Sequence, residues 1–164
     1  MIGAMEFLDI TDNYLKFFDI LPEDWQEVIG PIWLEYSKTA SIYALMDGGV
    51  IVAGGILFRS SPPNRTNFEI EKGALYVSKG YHYIGFLFVH PEHRNKALGS
   101  RWLKILKTEF PNQGFWLTIE EDALKTFYLK NEFVCVSEST DTENPEWMFV
   151  YEPVKPISKD FINL

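Results

Sequence analysis

The chain is poor in cysteine, has no excess of basic charge and contains no long apolar run. Its 164 residues include a single cysteine, Cys135. No disulfide can therefore form within the chain, and a cytoplasmic setting is the expectation. Cys135 lies in the apolar run FVCVS (133–137); a buried strand cysteine behaves as a small hydrophobe, so it is read as core rather than as a nucleophile. Acidic residues outnumber basic ones 23 to 15, giving a formal net charge of -8. That balance excludes a general phosphate-backbone binder, which needs a basic face. An acidic surface provides solubility and favours cationic small molecules or basic peptides over anions. The longest apolar run, YIGFLFV (83–89), is far too short to span a bilayer. The opening residues lack the basic segment and apolar core of a secretory signal. Neither nucleic acid nor membrane is expected as a partner.

What is present argues for a packed globule. Hydrophobic residues make up 46% and aromatic residues 16%, enough to exclude a disordered chain, and the length suits one domain over 1–164 with a tail at 152–164. Residues 5–10 read as a first strand. Residues 12–40 read as helical, broken at Gly30-Pro31, with Pro31 suited to a first helical turn and Trp25, Trp33 and Tyr36 as core. Two apolar strands flank Asp47-Gly48-Gly49, a hairpin signature. Residues 59–80 are long for a loop and leave room for a short element near NFEIEKGALYV (67–77). Residues 81–89 read as a central strand covered on both faces. Leu98, Trp102, Ile105, Leu106 and Phe110 follow helical spacing up to Pro111. GFWLTI (114–119) is a strand, and DALKTFYLKN (122–131) a helix with Asp122 as N-cap and Asn131 near its end. Two strands close the chain.

The chemistry concentrates in FVHPEHRNKALGS (88–100). A helix start leaves several backbone N–H groups without partners, and the helix dipole adds partial positive charge there. A tight turn that aims those groups at one point makes an anion site without a metal. Arg94 and Lys96 add mobile positive charge, and Gly99 permits close backbone approach. His82, His90 and His93 show no metal-ligand spacing; His90 and His93 flank the turn and are read as solvent-facing, so no metal is assigned.

The segment LFVHPEHRNKALGSRWLKIL (87–106) resembles the acetyl-CoA-binding core of the GNAT acyltransferase superfamily: a strand ending in a small or branched apolar residue, Pro, then an Arg/Gln-x-x-Gly-x-Gly/Ala turn and a helix. A second segment, ALKTFYLKNEF (123–133), is similar to the family's later helix, where a tyrosine is followed by a basic residue and a Gly-Phe pair. The resemblance implies an α/β (α+β) GNAT-like acyl-CoA N-acyltransferase fold, in which a mixed, mostly antiparallel twisted sheet is flanked by helices. Three positions depart from the pattern. Ala97 replaces the first glycine, and a positive φ there would cost about 1–2 kcal/mol, so a right-handed backbone is expected. Glu132 replaces the glycine before Phe133, leaving Asn131 to make the helix-ending turn. Glu121 stands where the family often has asparagine near the cofactor.

The resemblance implies that an amine of a small molecule or peptide attacks the thioester of acetyl-CoA directly, in a ternary complex. Asn95, Lys96, Ala97, Leu98, Gly99 and Ser100 would bind the pyrophosphate beside Arg94. Backbone groups of Leu87, Phe88 and Val89 would pair with the pantetheine arm and polarise the thioester carbonyl. Tyr128 would protonate the departing thiolate. Side-chain alternation puts Tyr81, Tyr83 and Gly85 on the face of Val89. Tyr83 stands where relatives place a base, but its high reference pKa suits it better to ordering water or lining the acceptor site. Glu120 could supply a carboxylate, although a solvated surface charge is the simpler role. A homodimer is allowed for. The alternative function is a catalytically degenerate CoA-binding module in regulation or assembly; a further one is an interaction domain in which the turn at 94–99 is only structural.

Overall fold

The computed structural model describes residues 5–63 and 65–154. The outer part of the expected tail, 155–164, lies outside the described residues. Seven strands form one sheet: β1 (Glu6–Asp9), β2 (Ala40–Asp47), β3 (Val50–Phe58), β4 (His82–Val89), β5 (Phe115–Ile119), β6 (Val134–Glu138) and β7 (Trp147–Tyr151). Their order is β1-β2-β3-β4-β5-β7-β6. Every neighbouring pair is antiparallel except β4 and β5, which run parallel. The sheet is therefore mixed and mostly antiparallel, as expected.

Six helices cover it: α1 (Tyr14–Phe18), α2 (Glu23–Ile29), α3 (Trp33–Tyr36), α4 (Asn67–Ser78), α5 (Leu98–Glu109) and α6 (Lys125–Lys130). On one face, Trp102, Leu103 and Leu106 of α5 and Tyr128 of α6 pack with Ile84, Leu117 and Phe149. On the other, Phe17, Ile29 and Trp33 of α1–α3 pack on Ile42, Ile56 and Phe58. Phe58, Tyr83 and Trp116 are successive cross-strand partners, so α4, which sits over Trp116, Met148 and Val150, shares that second face. A β-carbon at Gly73 of α4 would lie 2.5 Å from the Trp116 ring. The helix can approach the sheet this closely only because residue 73 has none.

The hairpin forms as read: Gly48 and Gly49 both have positive φ, 58° and 84°, the backbone of a two-residue primed turn. The structure corrects or extends four of these readings. The segment 12–40 breaks at Gly30-Pro31 as read, but a second break between Phe18 and Glu23 makes it three short helices, and Pro31 lies in the turn rather than in a helix. The stretch 59–80 holds a full 12-residue helix, α4, started by a capping box in which Thr66 and Glu69 bond each other's backbone N–H groups. Cys135 is exposed, because β6 is the edge strand and Val134 and Val136 beside it are exposed too. Asp122, read as an N-cap, is the first residue of a short 3-10 turn that leads into α6, and its carboxylate pairs with Lys125 at 2.8 Å.

Candidate active site

The parallel pairing of β4 and β5 is brief. Only His82 with Phe115 and Tyr83 with Trp116 are in register; beyond them β4 runs on to Val89 and β5 to Ile119 without pairing each other. The two strands therefore open a seam in the middle of the sheet. On the β3 side, the N–H of His90 donates to the Val52 carbonyl at 2.9 Å. In an antiparallel ladder successive residues point their backbone groups to opposite sides, so Val89, next to His90, aims its groups away from β3 and towards the seam. A central strand with one unpaired edge can accept an added strand or a peptide-like ligand.

A bulge resets the side-chain alternation of β4. Gly54 faces Phe88 while Ile56 faces Gly85, so three steps on β4 match two on β3, and Phe86 takes a φ of 56°. The expected sharing of one face by Tyr81, Tyr83, Gly85 and Val89 is thereby overturned. Val89 contacts the α5 side, where a β-carbon at Gly99 would lie 3.8 Å from it. Phe86 and Phe88 turn to the other face and meet Trp25 edge-on, with ring centroids 5.8 and 5.7 Å apart.

The turn before α5 is built from two left-handed residues, Asn95 (φ 65°) and Ala97 (φ 55°). The right-handed backbone expected at Ala97 is therefore wrong: the tight entry into α5 outweighs the strain of about 1–2 kcal/mol. Left-handed positions between right-handed or extended neighbours form concave nests of N–H groups, and here they adjoin the N-terminus of the 12-residue helix α5. Asn95, Lys96 and Ala97 are exposed, Leu98 and Gly99 buried, and Ser100 half-buried. A β-carbon on Gly99 would stand 3.0 Å from the Phe127 ring, so its lack of a side chain serves packing against α6. The Arg94 guanidinium lies 5.2 Å from the centre of the Phe88 ring, and its Nε donates to the Val89 carbonyl at 3.4 Å. A positive charge thus stands at the mouth of the seam.

Helix α6 is tied to this turn. Asn131 Nδ2 donates to Ser100 Oγ at 3.1 Å and to the Phe127 carbonyl at 2.8 Å. Asn131 does not make the left-handed turn expected of it; Glu132 does, with a φ of 71°. Tyr128 is buried against the rings of Phe127, Phe133 and Phe149, and burial alone raises its hydroxyl pKa.

Tyr83 packs against all three hydrophobic clusters. Burial raises its pKa above the ordinary tyrosine value, and the Glu69 carboxylate raises it further, so it is no base. Its hydroxyl donates to Glu69 Oε2 at 3.2 Å and lies 3.4 Å from Thr118 Oγ1. Thr118 donates to the same Glu69 oxygen at 2.7 Å. The apex of the seam therefore carries a buried carboxylate, 8% exposed, supplied by α4. The sequence signal for it was the Thr66-x-x-Glu69 capping box before an apolar run.

Next to this cluster is a cavity of about 850 Å³ between the start of α4 and the β6–β7 connection. Glu71, Glu120, Glu138, Asp141, Glu143 and Glu146 line it, with Lys72 the one cationic residue among its walls. Glu121 is exposed at the start of the turn into α6, and no hydrogen bond joins its side chain to the α5 turn among the described residues. His90, Glu92 and His93 come together at the turn. Pro91 begins a 3-10 turn that eclipses positions three apart, and one ligand-type atom from each residue lies within 4.8 Å of the others. His90 Nδ1 is already engaged by the Glu92 N–H at 3.1 Å.

A mixed seven-strand sheet flanked by helices and opened by a seam between two parallel strands is the fold of the GNAT acyl-CoA N-acyltransferases. The sequence profile of the Acetyltransferase (GNAT) family matches residues 8–133, and the chain belongs to that family. No curated protein matches the chain in sequence. Among solved structures it is similar to a putative acetyltransferase of the GNAT family from Desulfovibrio desulfuricans, at 9% identity and a TM-score of 0.65 over 91% of this chain and 99% of that one. It is also similar to an aminoglycoside 6'-acetyltransferase type Ii, at 15% identity and TM-score 0.63, covering 94% and 99%. A ribosomal L7/L12 alpha-N-protein acetyltransferase, RimL, in complex with coenzyme A matches at 14% identity and TM-score 0.60, covering 93% and 98%. At these identities the likeness concerns the fold.

Proposed function

We propose that the protein transfers an acetyl group from acetyl-CoA to a cationic primary amine by direct attack in a ternary complex. The observation that carries this reading is the edge of β4 beyond Tyr83, which pairs with no strand on the β5 side. Pantetheine amides would pair with that edge as an added strand, and the Asn95–Ser100 turn would hold the pyrophosphate beside Arg94. One of the freed β4 N–H groups would meet the thioester oxygen as negative charge develops on it. Tyr128 would give its proton to the leaving thiolate; its raised pKa keeps that proton in place until the sulfur needs it. The carboxylate-lined cavity favours a positively charged acceptor, as do the aminoglycoside and protein acetyltransferases among the similar structures. The reading takes 1–164 as one domain acting in the cytoplasm.

The test is thiol release from acetyl-CoA with spermidine, kanamycin and a lysine-containing peptide, with product mass as a second readout. Turnover and a mass increase of one acetyl group support the reading. Tight CoA binding without transfer to any amine would favour a CoA-binding module instead.

A further inference from the structure

Resting on that reading, we propose that Glu69 is the general base and that Thr66 and Glu146 carry its proton to the acidic cavity. A buried carboxylate is expensive unless paired or well bonded. Among the described residues no cation forms an ion pair with Glu69 or Glu146; the ion pairs seen are Lys72–Glu71 and Lys125–Asp122. Glu69 is instead held by hydrogen bonds from Thr118 (2.7 Å), Tyr83 (3.2 Å) and the Thr66 N–H (3.1 Å). Two of these donors mark the apex of the seam: Tyr83 is the last residue of β4 paired with β5, and Thr118 lies two past its partner. The carboxylate thus stands where the unpaired edge of β4 begins. A capping-box role alone would require neither contact.

The other candidates are less suited. Tyr83 keeps its proton through burial. His82 lies at the closed end of the seam, paired with Phe115. Glu120 is exposed and belongs to the cavity wall.

Glu69 also connects outward. Its Oε1 lies 3.4 Å from the Thr66 hydroxyl, which donates to Glu146 Oε2 at 3.1 Å, and Glu146 lines the cavity. The groups facing this line are Tyr83 from β4, Thr118 from β5, and Glu120 and Asp141 about Glu146. Burial first, and then the nearby Glu69, Glu120 and Asp141 charges, raise the Glu146 pKa, against a lowering contribution from Thr66. An ionised Glu146 is thereby a stronger proton acceptor than a freely solvated glutamate.

The step balances as follows. The acceptor ammonium gives one proton to Glu69, and the freed lone pair forms the C–N bond to the thioester carbon. The C–S bond then breaks, and the sulfur takes the Tyr128 hydroxyl proton, which the second nitrogen-bound proton replaces. The first proton passes from Glu69 to the Thr66 oxygen as the Thr66 proton moves to Glu146, and leaves through the cavity.

Glu69→Gln separates base from cap, because glutamine serves a capping box equally well. With whichever of spermidine, kanamycin or the lysine peptide turns over fastest, kcat/KM should fall roughly 10²–10⁴-fold. CoA affinity and Tm should stay at wild-type values. Glu146→Gln should lower kcat about tenfold with KM for acetyl-CoA unchanged. Wild-type turnover in Glu69→Gln would overturn the assignment and leave Glu69 a helix cap. Unchanged kcat in Glu146→Gln would overturn the outlet. A wild-type protein that acetylates none of the three amines would overturn the underlying reading as well.

Discussion

The Thr118 hydroxyl donates to the Glu69 carboxylate across 2.7 Å, joining residues 49 positions apart in the chain. This bond fastens α4, a helix set between β3 and β4, to the strand that forms one wall of the seam. Gly73, four residues further along the same helix face, lets α4 sit on Trp116. A single helix thus depends on one glycine for its approach and presents one carboxylate at the apex.

Gly73→Ala tests that dependence. Its β-carbon would come within 2.5 Å of the Trp116 ring, and relieving the overlap displaces α4 or the indole. Overpacking of this kind costs about 1–3 kcal/mol. Calorimetry should show a lower Tm, and turnover should fall as Glu69 moves. CoA affinity should hold, because the α5 turn lies on the opposite face; an unchanged Tm would mean that α4 is not packed as described.

Ala97 makes the opposite prediction. A left-handed alanine is strained, and glycine adopts that backbone freely. Ala97→Gly should therefore stabilise the protein by about 1 kcal/mol, a rise in Tm of roughly 2–4 °C, with CoA affinity equal or tighter. A loss of stability in denaturant titration would mean that the turn is not held in this geometry.

Tyr128→Phe removes the proton donor while keeping the ring that packs among Phe127, Phe133 and Phe149. The expected loss in kcat is roughly 10²–10⁴-fold, with CoA binding unchanged by calorimetry. Full turnover in the mutant would take Tyr128 out of the mechanism.

His82 gives a pH dependence of stability. Burial lowers its pKa below 6.5, with the Arg59 charge adding to the effect, and its Nδ1 is buried without a hydrogen-bond partner. Because the folded-state pKa is depressed, the unfolded chain binds more protons just below pH 6.5, so stability rises with pH there. His82 thus contributes stability that is complete above pH 6.5 and is lost as pH falls towards its folded-state pKa. Melting curves between pH 7.5 and 5.5 should show a smaller decline in Tm for His82→Asn than for the wild type. Parallel declines would remove His82 as a cause.

Much of this architecture was legible in the residues. The Gly48-Gly49 hairpin, the apolar run of β4 and the amphipathic spacing of α5 each express a local periodicity or a turn requirement, and such signals survive folding. Ala97 and Glu132 were misread for the converse reason. Residue type argued against a left-handed backbone at both, yet tertiary placement of α5 and α6 demanded it. The bulge at Phe86 leaves no compositional mark, so simple alternation assigned Val89 to the wrong face. Cys135 looked like core because its neighbours are apolar, whereas the position of β6 at the sheet edge exposes them. Glu69 escaped notice because its place at the seam depends on the close packing of α4 on β5, a contact between distant parts of the chain.

The most direct test of the central claim is calorimetric CoA binding measured beside acetyl transfer to the three amines with the same preparation. The account predicts one CoA site per chain, weakened by charge removal in Arg94→Ala, and transfer to at least one cationic amine. Absence of CoA binding, with no rise in Tm on adding CoA, would contradict it.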